Sequence, residues 1–405
     1  MYSISWKFMI KITSFVLMSS VCLHTMGIPA LADYNSGQAF SMWPKTGLAV
    51  CYDGAGNVLD PCPSPGQPFY GQDVQYNGPK RSYSKLDASG AVLPDSALSW
   101  SMVLDNVTGL TWEVKEARNG VQDYNNSHDA DNTYTWCDTN ADKNGGHQGT
   151  CGTYNTEDFI AALNTPPGFG GYTDWRVPTI KELKTLVDRS KESPSINTTY
   201  FPNTISNVYW SATTRVTYTD YARQVFFTYG AEDNNFKSGG NFVRAVRGGQ
   251  IQPENSFVVG PSGKTVIDTV TCLEWQRDAA DITGDGTPDQ MNWEDSLAYA
   301  EKLSLGGHSD WRLPDSNELA SIVDYSQYSP TIDLTAFPDA VSSPYYWTST
   351  TLAPFPIFAW YMGVTYGFDG YSGKSGNFYV RAVRNCGSSF PWPMFLPAIT
   401  NNAQP

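Results

Sequence analysis

Four short words occur twice along this chain, in the same order and at nearly the same spacing. DNVTGLTW (Asp105–Trp112) has its counterpart in DTVTCLEW (Asp268–Trp275), DWRVP (Asp174–Pro178) in DWRLP (Asp310–Pro314), YWSATT (Tyr209–Thr214) in YWTSTT (Tyr346–Thr351), and VRAVR (Val243–Arg247) in a second VRAVR (Val380–Arg384). Trp175 stands 35 residues before Trp210, and Trp311 36 before Trp347; from those tryptophans Arg244 and Arg381 each lie 34 further on. Agreement in words and in spacing means that one domain is written twice. The shared anchors, Trp112, Trp175, Arg176, Trp210 and Arg244 in the first copy and Trp275, Trp311, Arg312, Trp347 and Arg381 in the second, are therefore expected to build the domain.

The copies differ between the first two words. Trp112 to Trp175 spans 63 residues and Trp275 to Trp311 only 36. The extra length belongs in a surface loop, expected at 125–152. The organisation that follows is a leader at 33–104 packed on the first domain, a first domain at 105–250, a second at 256–388, and a tail at 389–405.

Local chemistry predicts the elements. Thr179 and Asp315 follow the repeated prolines, and Glu182 and Glu318 stand three positions on, so each pair forms a capping box that starts a helix. Leu183, Leu186 and Val187, like Leu319, Ile322 and Val323, fall on one apolar stripe. TEDFIAALN and WEDSLAYAEKL predict an earlier helix with acids in its first turn. The aromatic and β-branched words after them predict short strands, which makes each copy an α+β unit.

Lys7 and Lys11, an apolar run from Ile12 to Met26, and Ala30-Leu31-Ala32 predict a signal peptide covering 1–32, with a retained anchor as the alternative. Export places the mature chain in the periplasm, at the cell surface or outside the cell, with no transmembrane segment after cleavage. The whole chain carries a formal net charge of −14, and losing two lysines with the signal makes it −16, which argues against nucleic acid as a partner. Exported chains pair their cysteines. Cys272 stands where the first copy has Gly109, and Cys386 where it has Gly249, so both were gained together and should bond; Cys137 and Cys151 share the insertion; Cys51 and Cys62 bracket a Gly- and Pro-rich turn.

TGLTW and TCLEW, DWRVPTIKEL and DWRLPDSNEL, YWSATT and YWTSTT, and the closing VRAVR resemble the Lcl C-terminal domain family, in two tandem copies. WPKTG and GQDVQYNGP resemble the leader that precedes such a domain. The Arg-Leu-Pro-then-Glu word is also similar to one in the formylglycine-generating enzymes, so the resemblance implies tandem C-type lectin-like domains. It further implies an exported adhesion protein; the acidic charge and the lack of collagen-like repeats do not extend sulfated glycan binding to this chain.

Weighed as sites, Trp175, Arg176, Trp311 and Arg312 read as a core aromatic beside an arginine held by Glu182 or Glu318. Arg244 and Arg381 are expected in internal ion pairs, and Trp210 and Trp347 in packing. The sequence offers no serine-nucleophile motif, metal-binding histidine pair or phosphate loop, so catalysis is not expected. Asp281, Thr283, Asp285 and Asp289, with Gly286 between them, follow the oxygen spacing of a calcium loop, but Asn292 stands where a bidentate Glu belongs; Asp138, Asn140, Asp142 and Asn144 repeat the alternation in the insertion. A plain Asp/Asn/Gly turn is the competing reading. The expectation is a non-enzymatic binding or adhesion protein that meets a glycan or surface protein through its variable loops, calcium being the one candidate cofactor. A structural envelope component docked through its tail is the alternative.

Overall fold

A computed structural model describes residues 43–116, 118–249, 256–340 and 345–386; the expected signal peptide and the tail at 389–405 lie outside them. The chain is α+β, and the two copies share one order of two helices and their longer strands.

A leader hairpin, β1 (Cys51–Tyr52) and β2 (Val58–Leu59), is followed by β3 (Tyr83–Leu86), β4 (Met102–Asp105) and β5 (Thr111–Glu113). Then come α1 (Thr156–Asn164), α2 (Ile180–Thr185), the meander β6 (Val208–Thr214), β7 (Tyr221–Phe226) and β8 (Ala231–Phe236), and β9 (Val246–Arg247). The second copy gives β10 (Phe257–Val259), β11 (Thr265–Asp268), β12 (Leu273–Gln276), β13 (Gln290–Met291), α3 (Trp293–Lys302) and α4 (Ser316–Ser321). It closes with β14 (Tyr345–Thr351), β15 (Phe358–Gly363), β16 (Phe368–Gly373), β17 (Phe378–Tyr379) and β18 (Val383–Asn385).

In each copy the last strand returns to the first sheet, giving the orders β3-β4-β5-β9 and β10-β11-β12-β18. Trp112 pairs with Val246 and Trp275 with Val383, so the VRAVR word closes the sheet that the first word opens. Trp112 and Trp275 are fully buried against Leu183 and Val187, and against Leu319 and Val323. A second core in each copy gathers Trp136, Trp175 and Trp210, or Trp293, Trp311 and Trp347. Both capping boxes form: Thr179 accepts from Glu182 N, and Asp315 from Glu318 N, while each glutamate reaches back to the cap.

The boundaries differ from the sequence expectation in three places. First, β3 belongs to the first copy's sheet, as β10 does to the second's, so a domain start at 105 is too late. Second, leader residues 43–76 lie chiefly on the second copy, although Thr46 O also accepts from Arg189 N of the first at 2.7 Å. Trp43 joins its core, Asn317 Nδ2 donates to Pro44 O at 2.7 Å, and Lys45 Nζ meets Asp315 Oδ2 at 3.0 Å. Buried Asp73 accepts from Thr46 Oγ1 at 2.7 Å and Thr350 Oγ1 at 2.8 Å. A Trp, a Lys and a buried Asp carry no mark in the sequence of which copy will receive them.

Third, the insertion begins later than 125. Trp293 Nε1 donates to Thr348 O at 2.8 Å, and in the first copy Trp136 Nε1 donates to the matching Ser211 O at 2.8 Å. Trp347 donates to Met291 O at 3.0 Å, and Trp210 to Tyr134 O at 2.9 Å. Tyr134 and Trp136 thus occupy the places of Met291 and Trp293. The chain leaves the shared fold at Cys137 and rejoins it at Asn155, whose neighbour Thr156 donates from N to Thr135 O at 2.9 Å. Asn155 then caps α1 as Asn292 caps α3. The first copy in this way splits between two segments what the second does with one.

All three disulfides pair as the repeat comparison predicts: Cys51–Cys62, Cys137–Cys151 and Cys272–Cys386. The last joins the turn into β12 to the residue after β18, and these two strands are neighbours in the sheet. Cys272 and its counterpart Gly109 both hold a left-handed backbone, with φ of 53° and 73°. That conformation favours glycine, so the cysteine keeps it at a local cost.

Candidate binding site at the seam between the copies

The repeated Arg words are foundations. Arg176 grips Glu182 with two bonds of 2.6 and 2.7 Å, and Arg312 grips Glu318 with two of 2.6 Å. Burial opposes ionisation of Glu318, yet the charge and hydrogen bonds of Arg312 hold it down to about 2. Arg381 makes its expected ion pair, with Asp339 at 2.6 Å. Arg244 departs from expectation: its bonds run to Glu113 O at 2.6 Å and Thr204 Oγ1 at 2.8 Å. Trp175 and Trp311 each donate to a backbone carbonyl, at 2.9 Å to Phe169 O and 3.1 Å to Leu305 O, and are buried with Trp210 and Trp347 in the second core of each copy.

The first copy holds a buried acid that the second does not. Glu113 contacts Lys115 Nζ at 2.9 Å and His128 Nδ1 at 2.8 Å. Burial opposes its ionisation, but those two partners bring it down to about 2. In the second copy Gln276 stands there and bonds Tyr299 at 2.8 Å, which closes the same space without charge.

Sequence reasoning missed a repeated lysine. Lys237 and Lys374 each precede Ser-Gly, seven residues before Arg244 and Arg381. Lys237 Nζ lies 3.7 Å from the centre of the Trp136 ring, and Lys374 Nζ 4.0 Å from that of Trp293. What covers each lysine differs. Lys237 donates to Asn144 O at 3.0 Å and His147 O at 2.6 Å, in the insertion; Lys374 donates to Asp53 O at 3.0 Å, in the leader hairpin. Two unrelated disulfide-closed loops thus cap equivalent places. Burial pushes Lys237 down to about 8 and Lys374 to about 7, nearby aspartates opposing. The equal spacing of KSG to VRAVR was the signal that could have found this pair.

The calcium-like loops have other engagements. Asp281 accepts from Gly284 N at 2.7 Å and Gly286 N at 2.9 Å, and its Oδ1 also from Thr283 Oγ1 at 3.3 Å. Asp289 accepts from Ile282 N and Thr283 N, and Asp285 from Thr287 N. Asn292 is the cap of α3. In the insertion Asp138 accepts from Asn140 N, and Asn140 from Asp142 N. These are turn hydrogen bonds of short side chains to nearby backbone. Among the described residues, the only three-member cluster of potential metal-ligand side chains is Cys137, Cys151 and Glu157, and its cysteines are bonded to each other.

The seam between the copies is charged inside. Arg223 of the first copy contacts Glu232 at 2.5 Å and donates to Tyr366 O of the second at 2.6 Å. Glu232 accepts from Tyr325 OH at 2.7 Å and lies 3.1 Å from Lys184 Nζ. Asp369, which matches Glu232 in the repeat, accepts from Glu232 N at 2.8 Å and pairs with Arg189. Burial opposes ionisation of Asp369, but Lys184 and Arg189 keep its carboxyl below the usual range. Arg189 stacks on Trp360 at 3.7 Å and Arg223 on Tyr325 at 4.4 Å. The arginine comes from the first copy both times, and the aromatic from the second.

Above this seam opens a cleft of about 500 Å³. It is lined by Lys143 and Gly145 of the insertion, by Thr213 and Thr214 at the end of β6 with Val216 just beyond, and by Asp324 to Gln327 after α4. The insertion is held there by Thr214 Oγ1, which donates to Asn144 O at 2.9 Å.

The fold and this seam define a tandem pair of one disulfide-bonded α+β domain, fused into a single body with a cleft between the halves. The chain belongs to the Lcl C-terminal domain family, whose profile matches residues 101–247 and 264–384. Among curated proteins no match is found. Among the described residues no helix is long and apolar enough to cross a membrane.

Proposed function

We propose that this is an exported, non-enzymatic binding or adhesion protein whose ligand, a glycan or a surface protein, is contacted at the seam cleft. One observation carries the reading: the cleft lies between the two copies, and the insertion that the first copy alone has supplies part of its wall through Lys143 and Gly145. The insertion exists in the first copy alone, and it is stapled by Cys137–Cys151 and held at Asn144 O by Lys237 and Thr214. A loop held at both ends loses little freedom when it binds, which favours affinity. A cleft with scattered hydroxyl, carboxylate and ammonium groups suits a polar ligand better than a greasy one.

A C-type lectin-like arrangement is the finer fold reading. The return of β9 to β5 and of β18 to β12, which brings the ends of each domain together, supports it, as does the order of two helices followed by a strand series. Export rests on the apolar leader at 1–32 and fits a chain with three disulfides. Calcium is a proposal tied to the same test.

The test is a combined glycan and surface-protein array probed with the mature protein, once with calcium and once with chelator. Specific binding that competes with soluble ligand is expected. Silence on every feature in both conditions counts against a binding role, and equal binding in both conditions removes calcium from it.

A further inference from the structure

Beside the cleft, both copies contribute tyrosines to one exposed cluster. Tyr218 of the β6–β7 turn is 50 % exposed, Tyr328 beyond α4 is 40 % exposed, and Tyr366 in the β15–β16 turn is 37 % exposed. Arg215 gathers them. Its guanidinium lies 4.5 Å from the Tyr218 ring and 5.5 Å from the Tyr366 ring, and Tyr366 is 5.6 Å from Tyr328. The cluster runs into the cleft along the chain, since Val216 and Gln327 line the cleft and Tyr218 and Tyr328 follow them.

The cluster is built rigidly. Buried Arg223 crosses the seam to hold the backbone of the Tyr366 turn, at 2.6 Å to Tyr366 O and 3.2 Å to Gly367 O. Gly367 has φ of +70°, and a Cβ there would come within 3.0 Å of both Thr331 and Val323, so the turn admits only glycine at this place. Three tyrosines left partly exposed side by side, against the general tendency to cover such area, mark a contact surface.

We propose that this cluster stacks the flat face of a neutral pyranose ring, and that the adjoining cleft receives the next sugar of the same chain. This rests on the binding reading above and names its ligand class. A tyrosine offers an apolar face with a polar rim, which matches a ring of C–H groups edged by hydroxyls. The cleft supplies polar side chains able to bond the hydroxyls of a sugar, Thr213, Ser326 and Gln327. Its charges balance, Lys143 and Lys181 against Asp324 and Asp333, and the chain as a whole is at −14, so an anionic polymer gains no attraction. Arg215 already spends its planar face on two rings and one hydrogen bond, to Asn234 at 3.3 Å. A Pro-rich peptide would also like aromatic faces, but it has no use for the polar cleft.

The experiment titrates the whole mature protein onto immobilised neutral hexose and N-acetylhexosamine oligosaccharides, offered as polysaccharide fragments and as protein-linked glycans. An anionic oligosaccharide and a Pro-rich peptide run beside them. Tyr218→Ala and Tyr366→Ala are expected to weaken binding at least about tenfold. Tyr366→Phe, which keeps the face, and Tyr371→Ala, an exposed tyrosine elsewhere, should stay within about twofold, and melting curves check that every variant folds. Whichever sugar presentation binds identifies the source. Wild-type-like binding by both alanine variants, or preference for the anionic or peptide probe, overturns this proposal alone. A wild-type protein silent on every neutral sugar overturns the proposal, and silence on the array as well overturns the binding reading too.

Discussion

Glu318 shows how much one carboxylate can organise. It closes the capping box on Asp315 N, holds Arg312 with both oxygens, and through Arg312, whose N donates to Val383 O, ties the helix start to the closing strand. Removing one partner from a buried pair leaves a charge stranded, at a cost on the order of 3–5 kcal/mol. The pH dependence follows from the same burial. Glu318 and Glu113 each ionise near 2 in the folded chain, against an ordinary 4.5. As pH falls the unfolded chain therefore takes up these protons first. The stability the two groups contribute is whole above about 4.5 and is lost as pH falls toward about 2. Melting temperature measured from pH 5 to pH 2 should drop less steeply in Glu318→Gln and Glu113→Gln than in wild type; curves parallel to wild type would refute the assignment. The Arg176–Glu182 and Arg312–Glu318 partnerships were legible in the sequence, because a capped helix start fixes both residues within a few positions of each other. The bond from Arg244 to a carbonyl was not, because its partner comes from a strand more than a hundred residues away.

Among elements, local rules held and long-range exchanges hid. Both capping boxes, both helix pairs and the strand series were legible because each depends on neighbours in sequence. The true exit point of the insertion was not, since Trp136 takes the place of Trp293 only when the chain returns at Asn155. Nor could the landing place of the leader be read, because its anchors Trp43, Lys45 and Asp73 find partners around residues 315–350. The stapled leader hairpin on the second copy and the stapled insertion on the first meet the same Trp–Lys pair. Lys374→Met should therefore loosen the hairpin that its Asp53 contact holds. Hydrogen exchange is expected to rise in residues 43–62 and to stay unchanged in β6 to β8. A rise spread evenly over both copies would mean that Lys374 supports the whole body and not the hairpin.

At the scale of the molecule, duplication produced one body with an asymmetric seam. Matching positions meet across it, Glu232 with Asp369, while Arg189 and Arg223 both reach from the first copy to aromatics of the second. Such a buried network is strong only while complete. Wild-type protein should unfold in a single thermal transition, and Asp369→Asn, which strands Arg189 and Lys184, should separate it into two; a single transition in the variant would show that the copies are joined by other means. The proposed ligand site is the seam, and not either copy alone. It is tested most directly by a hydrogen-exchange footprint of the mature protein with the ligand that the array selects. Protection is predicted at 143–145, 213–218, 324–328 and around Tyr366, contributed by both copies. Protection confined to one copy away from those segments, or to the calcium-like loop at 281–289, would contradict it.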